Sequence, residues 1–207
     1  MELVLIRHFP TQGNLEKKYV GRVDEPLAVD YLMDNIWKYR GMYPPKERLI
    51  CSPMLRCQQT AKVLFPGQDM EFCEDIKETD FGIFEGKDYE MLKDTLEYQS
   101  WLESNGEGVI PEGESKAEFR IRCMRGLEGI VDSLIKNRED SAAIVTHGGV
   151  IMALMSEYAE EKQDFYYWQV KKGCGFVVQI DKDAWIAGDK KFTGITKIQV
   201  GERKVKA

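Results

Sequence analysis

The chain contains two histidines, His8 and His147, and each directly follows an apolar run or closes one. Leu3-Val4-Leu5-Ile6 precedes Arg7-His8, and Ala143-Ile144-Val145-Thr146 precedes His147-Gly148-Gly149. Runs of this length bounded by turn residues read as buried strands. Both imidazoles are therefore expected at carboxyl ends of strands, the edge at which open α/β sheets bind their ligands. Arg56, in the first turn of an expected helix, and Glu78, after the strand near Phe72, add a guanidinium and a carboxyl group. If the strand ends share one edge, Arg7, His8, Arg56, Glu78 and His147 converge there.

Guanidinium groups are planar multidentate donors that suit phosphate oxygens, and a helix amino terminus beside them contributes N–H groups and a favourable dipole. An imidazole held among cations has its protonated form disfavoured, which leaves a ring nitrogen free to attack phosphorus. His8 is the expected nucleophile, with a backbone carbonyl selecting its tautomer. Glu78 is the expected acid that protonates the leaving oxygen. His147 would hold the phosphoryl group and stabilise its charge in the transition state, a form of electrostatic catalysis that calls for no metal ion and no cofactor. Each residue also has a plainer reading: Gly148-Gly149 could serve only a tight turn, Asn14 only a cap, and the acids around Glu78 only a solvated loop.

The elements that must position these groups alternate along the chain. Strand-like runs lie at 3–6, 48–51, 70–73, 142–146, 175–180 and 195–200, with helical patterns between most of them. That alternation predicts a three-layer α/β/α sandwich with a mainly parallel central sheet. Ser52-Pro53 reads as an N-cap followed by proline at the first helical position, and Ser115 with Glu118 as a capping box. Phe119, Cys123, Leu127, Ile130, Leu134 and Ile135 recur at helical spacing as a core-facing stripe. The segment at about 86–111, with Tyr89, Leu92, Leu96, Tyr98, Trp101 and Leu102 before Asn105-Gly106-Glu107-Gly108, reads as a helical insertion over the active-site edge of one domain spanning 1–207.

Composition narrows the function. A net charge of −6 argues against nucleic acid, whose binders need clustered cationic surface. No apolar run approaches the roughly 20 residues that span a bilayer, and no leader pattern opens the chain, so a cytoplasmic location is expected. The five cysteines, Cys51, Cys57, Cys73, Cys123 and Cys174, show no paired zinc or redox spacing and read as buried thiols. Arg203, Lys204 and Lys206 read as a solvated tail. Oligomeric state is left open, a homodimer included.

Arg7-His8-Phe9-Pro10-Thr11 with Asn14 resembles the Arg-His-Gly-x-Thr-x-x-Asn signature of the histidine phosphatase superfamily, which includes the cofactor-dependent phosphoglycerate mutases. Cys51-Ser52-Pro53-Met54-Leu55-Arg56-Cys57-Gln58-Gln59-Thr60-Ala61 is similar to its Ser-Ser-Pro-Leu-x-Arg-x-x-Gln-Thr-Ala element. Gly21 with Asp24-Glu25-Pro26-Leu27, the run Glu78 to Gly86, and Thr146-His147-Gly148-Gly149 complete an ordered set over residues 3 to about 155. The resemblance implies a phosphohistidine on His8, phosphoryl binding by Arg7, Arg56, His147 and Gly148, proton donation by Glu78, and Asn14 in the phosphate pocket.

Phe9 stands where the family has Gly, and is expected to wall the pocket or alter backbone approach beside the nucleophile. The modest length favours a phosphatase over a mutase. The run Glu78 to Gly86, the insertion and Gly173-Cys174-Gly175 look similar to α-ribazole-5′-phosphate phosphatases of cobalamin synthesis. Tyr89, Tyr98 and Trp101 are then expected to stack on the base of that substrate. The competing expectations are a broad-specificity small-molecule phosphatase, a phosphoglycerate mutase, and a noncatalytic phosphate-binding regulatory domain.

Overall fold

The computed structural model describes residues 1–200, so the basic tail residues Arg203, Lys204 and Lys206 lie outside the described residues. Six strands form one sheet: β1 (Glu2–Arg7), β2 (Arg48–Cys51), β3 (Glu71–Phe72), β4 (Ser141–Thr146), β5 (Gly175–Gln179) and β6 (Gly194–Ile198), in the order β3-β2-β4-β1-β5-β6. The pairings β3·β2, β2·β4 and β4·β1 are parallel. Those of β5 with β1 and with β6 are antiparallel. The sheet is thus mainly parallel, as expected.

The pleat explains the three layers. Successive side chains of a strand face opposite sides, and both sides of this sheet are buried. Leu3 and Leu5 of β1, with Ala142 and Ile144 of β4, pack against the helices Lys116–Asn137 and Gly148–Tyr158 through Phe119, Cys123, Leu127, Ile151 and Leu154. The alternate residues Val4 and Ile6, with Ala143 and Val145, face the helix Leu55–Leu64 through Cys57 and Ala61. All five cysteines are free, and all but the partly exposed Cys73 are buried.

Local signals account for most helix ends. Ser115 accepts from the Glu118 N–H while the Glu118 side chain reaches back to the Ser115 N–H, the reciprocal box expected for the long helix. The second helix signal falls short. The helix bearing Arg56 begins at Leu55, not at Pro53, and its N-cap residue, Met54, makes no side-chain cap. Asp24 caps it from a distant loop instead, accepting from the Leu55 N–H at 2.7 Å. Ser52 Oγ takes only a long 3.5 Å bond from the Met54 N–H and closes instead on His147, whose Nε2 lies 2.8 Å away.

Residues 86–111 carry two short helices, Tyr89–Leu92 and Leu96–Glu103. Phe84, Leu92, Tyr98 and Ile110 form a separate small core there, edged by Tyr19, Phe81 and Trp101. Among the described residues no helix is long and apolar enough to cross a membrane.

Candidate active site

Register places the two histidines side by side. β1 and β4 are adjacent and parallel with Arg7 opposite Thr146, and the His8 N–H donates to the Thr146 carbonyl at 2.9 Å. The imidazoles leave the same sheet edge with ring centroids 5.1 Å apart. His8 Nδ1 lies 2.5 Å from the Phe9 carbonyl oxygen. A carbonyl can only accept, so Nδ1 carries the proton and Nε2 keeps its lone pair. Burial, then the Lys172 amine, His147 and Arg56, holds the His8 pKa well below the usual imidazole value. The ring is therefore neutral at physiological pH, as a nucleophile must be.

Phe9 neither walls the cavity nor crowds the nucleophile. Its ring is fully buried and packs edge-on against Tyr39 with centroids 4.7 Å apart. Gly173, at φ +74°, makes room, because a Cβ there would come within 2.5 Å of the Phe9 and Tyr39 rings. The benzyl group is absorbed into the core, and only its main chain serves the site.

All seven expected site residues stand at or directly behind one cavity of about 400 Å³, and five of them, Arg7, His8, Asn14, Glu78 and Gly148, line it, Gly148 at a helix start. Arg56 and His147 lie a layer deeper and are fully buried. Arg56 donates from Nε to His147 Nδ1 at 3.3 Å, and from its terminal nitrogens to the carbonyls of Gly21 at 2.7 Å and Val23 at 2.8 Å. Since Nδ1 of His147 accepts, Nε2 carries the proton and donates to Ser52. Burial, with Arg56 and Lys172 next, keeps His147 neutral by lowering its pKa well below the imidazole norm. Glu85 completes the cage from the other side, its carboxylate accepting from the N–H groups of Gly21 and Arg22.

Glycines decide how close the remaining groups come. A Cβ on Gly148 would sit 2.9 Å from the Arg7 guanidinium carbon, and one on Gly149 only 2.2 Å from Glu78 Oε1. The pair does more than turn the chain: it lets Arg7 and Glu78 pass against the helix start. The Gly149 N–H donates to Glu78 Oε2 at 3.1 Å. Arg7 Nη1 donates to the Val170 carbonyl at 2.6 Å, while its Nε is buried with no protein partner among the described residues, a donor available to a phosphate oxygen.

Two functional candidates escaped the sequence reading. Arg122, on the long helix, donates to the carbonyls of Asp75 and Lys77 and is paired with Glu114, pinning the segment that carries Glu78. Lys172 places Nζ 3.4 Å from His8 Nε2 and donates to Asn14 Oδ1. The available signal for Lys172 was its position just before β5, whose first residue pairs with Ile6 of β1. Asn14 proves to be both a cap and a pocket residue, since the same Oδ1 also accepts from the Thr11 N–H at 3.3 Å.

The outer cavity is walled by Tyr19, Phe81, Trp101, Phe165 and Tyr166. Of the three aromatic residues expected to stack on a substrate, only Trp101 reaches it. Tyr98 is 3% exposed within the small core, its hydroxyl 2.8 Å from that of Tyr19, and Tyr89 is 55% exposed outside the cavity. Among the described residues no group of three or more His, Cys, Asp or Glu side chains is placed to hold a metal ion.

The chain matches the histidine phosphatase superfamily (branch 1) over residues 3–189, and it belongs to that family. The enzyme named adenosylcobalamin/alpha-ribazole phosphatase of Salmonella typhimurium is 24% identical over 87% of this chain and 91% of its own. The protein named "Probable phosphoglycerate mutase GpmB" of Enterobacter sp. (strain 638) is 29% identical over 75% of this chain and 74% of its own. The crystal structure of the alpha-ribazole phosphatase from Shigella flexneri shares the fold, with a TM-score of 0.75 at 24% identity over 87% of this chain and 91% of that one. The protein is a phosphatase of the histidine class.

Proposed function

We propose that this enzyme hydrolyses a small phosphomonoester through a phosphohistidine on His8, and that its substrate is a nucleotide-like phosphate such as α-ribazole 5′-phosphate. The observation that carries the first part is the unprotonated Nε2 of His8, turned to the cavity by the Nδ1 contact with the Phe9 carbonyl and met there only by the Lys172 amine at 3.4 Å among the described residues. Nε2 attacks phosphorus and forms the N–P bond as the P–O bond to the alcohol breaks. Glu78, at the same cavity, gives its proton to the departing oxygen. A water then attacks the phosphohistidine, Glu78 takes one of its protons, the N–P bond breaks, and inorganic phosphate leaves.

Arg7 and Asn14 hold the phosphoryl oxygens at the cavity wall. Arg56 supplies positive charge from behind the nucleophile, where the low-dielectric interior strengthens its effect, and the neutral His147, bonded to Arg56 and Ser52, supplies rigidity. The walls of Tyr19, Phe81, Trp101, Phe165 and Tyr166 offer flat faces to an aromatic base. The similarity to the Salmonella enzyme supports the same substrate. A second reading, transfer of the phosphoryl group back to a product as in a mutase, rests on the similarity to the Enterobacter protein.

A panel of α-ribazole 5′-phosphate, 3-phosphoglycerate and simple sugar phosphates separates these readings. Highest kcat/KM for the nucleotide with release of inorganic phosphate is expected. Interconversion of 3- and 2-phosphoglycerate in preference to phosphate release would replace the hydrolase assignment with the mutase one.

A further inference from the structure

Lys172 belongs to no motif that carries the resemblance, yet among the described residues it is the cavity side chain set against the nucleophilic nitrogen. Its turn is clamped to the end of β1 by two main-chain bonds, Gly173 N–H to the Arg7 carbonyl and Arg7 N–H to the Cys174 carbonyl, each 2.9 Å. The amine therefore arrives on a rigid lead. Its Nζ lies 3.4 Å from His8 Nε2 and is bonded to Asn14 Oδ1, so two residues of the expected phosphate pocket are its immediate neighbours.

We propose that Lys172 is a phosphoryl-binding residue, whose amine passes from Asn14 and His8 to an oxygen of the phosphate that His8 attacks. The inference rests on the reading of His8 as nucleophile. Facing Lys172 are Arg7 and His8 at the end of β1, Asn14, Arg56 and Cys57 on the helix behind, Glu78 from the opposite loop, and His147. Burial, then Arg7, disfavours the ammonium form and lowers the pKa well below the lysine norm, with Glu78 opposing. A phosphate dianion beside His8 reverses that field, so binding a dianion draws a proton onto Lys172. The alkaline loss of anion binding then reports the loss of that proton.

The test uses inorganic sulfate as a competitive inhibitor, because it stays a dianion across the working pH range. Lys172→Met is expected to weaken sulfate inhibition by about 10- to 100-fold, the scale of one charge-assisted hydrogen bond, and to lower kcat/KM comparably. Lys172→Arg, charged at every pH, is expected to retain sulfate inhibition at alkaline pH, where the wild type loses it. Melting temperatures check that each variant folds, and Lys172→Gln, which keeps a donor for Asn14 without charge, replaces the methionine variant if that one does not. Sulfate inhibition and kcat/KM within twofold of wild type in the neutral variant would overturn the proposal. So would a weakened enzyme whose pH dependence of sulfate inhibition is the same with Lys, Met and Arg, which marks a packing role only. Turnover surviving in His8→Ala would instead overturn the underlying phosphohistidine reading.

Discussion

At its inner end the cavity is gripped by main chain: the carbonyls of Phe9, Gly21, Val23 and Val170 and the N–H of Gly149 hold His8, Arg56, Arg7 and Glu78. At its outer end the walls are side chains from segments far apart in sequence, Tyr19, Phe81, Trp101, Phe165 and Tyr166. The first arrangement fixes reacting groups by covalent geometry and strand register. The second is a surface that can differ without disturbing the chemistry. The inner end accordingly supports a reaction class, and the outer end supports a choice among substrates.

The largest effect expected at the inner end follows from deleting the nucleophile. His8→Ala should lower turnover of every phosphomonoester by about 10⁴-fold or more, read as kcat with an unchanged circular dichroism spectrum. Retained turnover would remove the inner end from the chemistry.

Next comes the acid. In Gly149→Ala the new Cβ would meet Glu78 Oε1. Because a general acid contributes roughly 10²- to 10⁴-fold, kcat on an alkyl phosphate should fall by about 100-fold. Hydrolysis of p-nitrophenyl phosphate, whose leaving group needs no proton, should fall far less. Equal losses on both esters would show that the alanine disturbs the whole site rather than Glu78.

The outer end predicts selectivity. Trp101→Ala should raise KM for a base-bearing phosphate by about 2- to 12-fold, the scale of one aromatic pair, while glycerol phosphate kinetics stay unchanged. An equal change for both substrates would erase the division between the two ends.

The smallest effect concerns pH. The neutral form of His8 is the active one, and burial first, then Lys172, pushes its pKa well below 6.5. Protonation should begin only below the ordinary imidazole range, so kcat/KM should show no loss as pH falls through 6.5. An acid limb centred at 6.5 would mean that the ring titrates as if in water.

The same division governs what could be read without coordinates. His8 and His147 were legible as strand-end residues because a short apolar run ends at each, whereas the side-by-side pairing of β1 with β4 depends on the order of strands in the sheet. The capping box at Ser115 and Glu118 is a local interaction and needed nothing distant. The start of the helix at Leu55 was misplaced because its cap, Asp24, comes from another loop and competes successfully with Ser52. Lys172 was invisible for a related reason: only the antiparallel return of β5 beside β1 carries it to His8. Tyr98 was misjudged because an aromatic residue in a polar segment can face a pocket or a local core, and composition does not separate the two. Phe9 shows the converse, a departure from the family pattern that Gly173 accommodates from far along the chain.

Rapid-quench labelling with a ³²P-phosphomonoester tests the phosphohistidine most directly. An acid-labile, base-stable label is expected that forms before product, maps to His8 and resides on Nε2. Steady hydrolysis with no label on that ring, or with label on another residue, would contradict it.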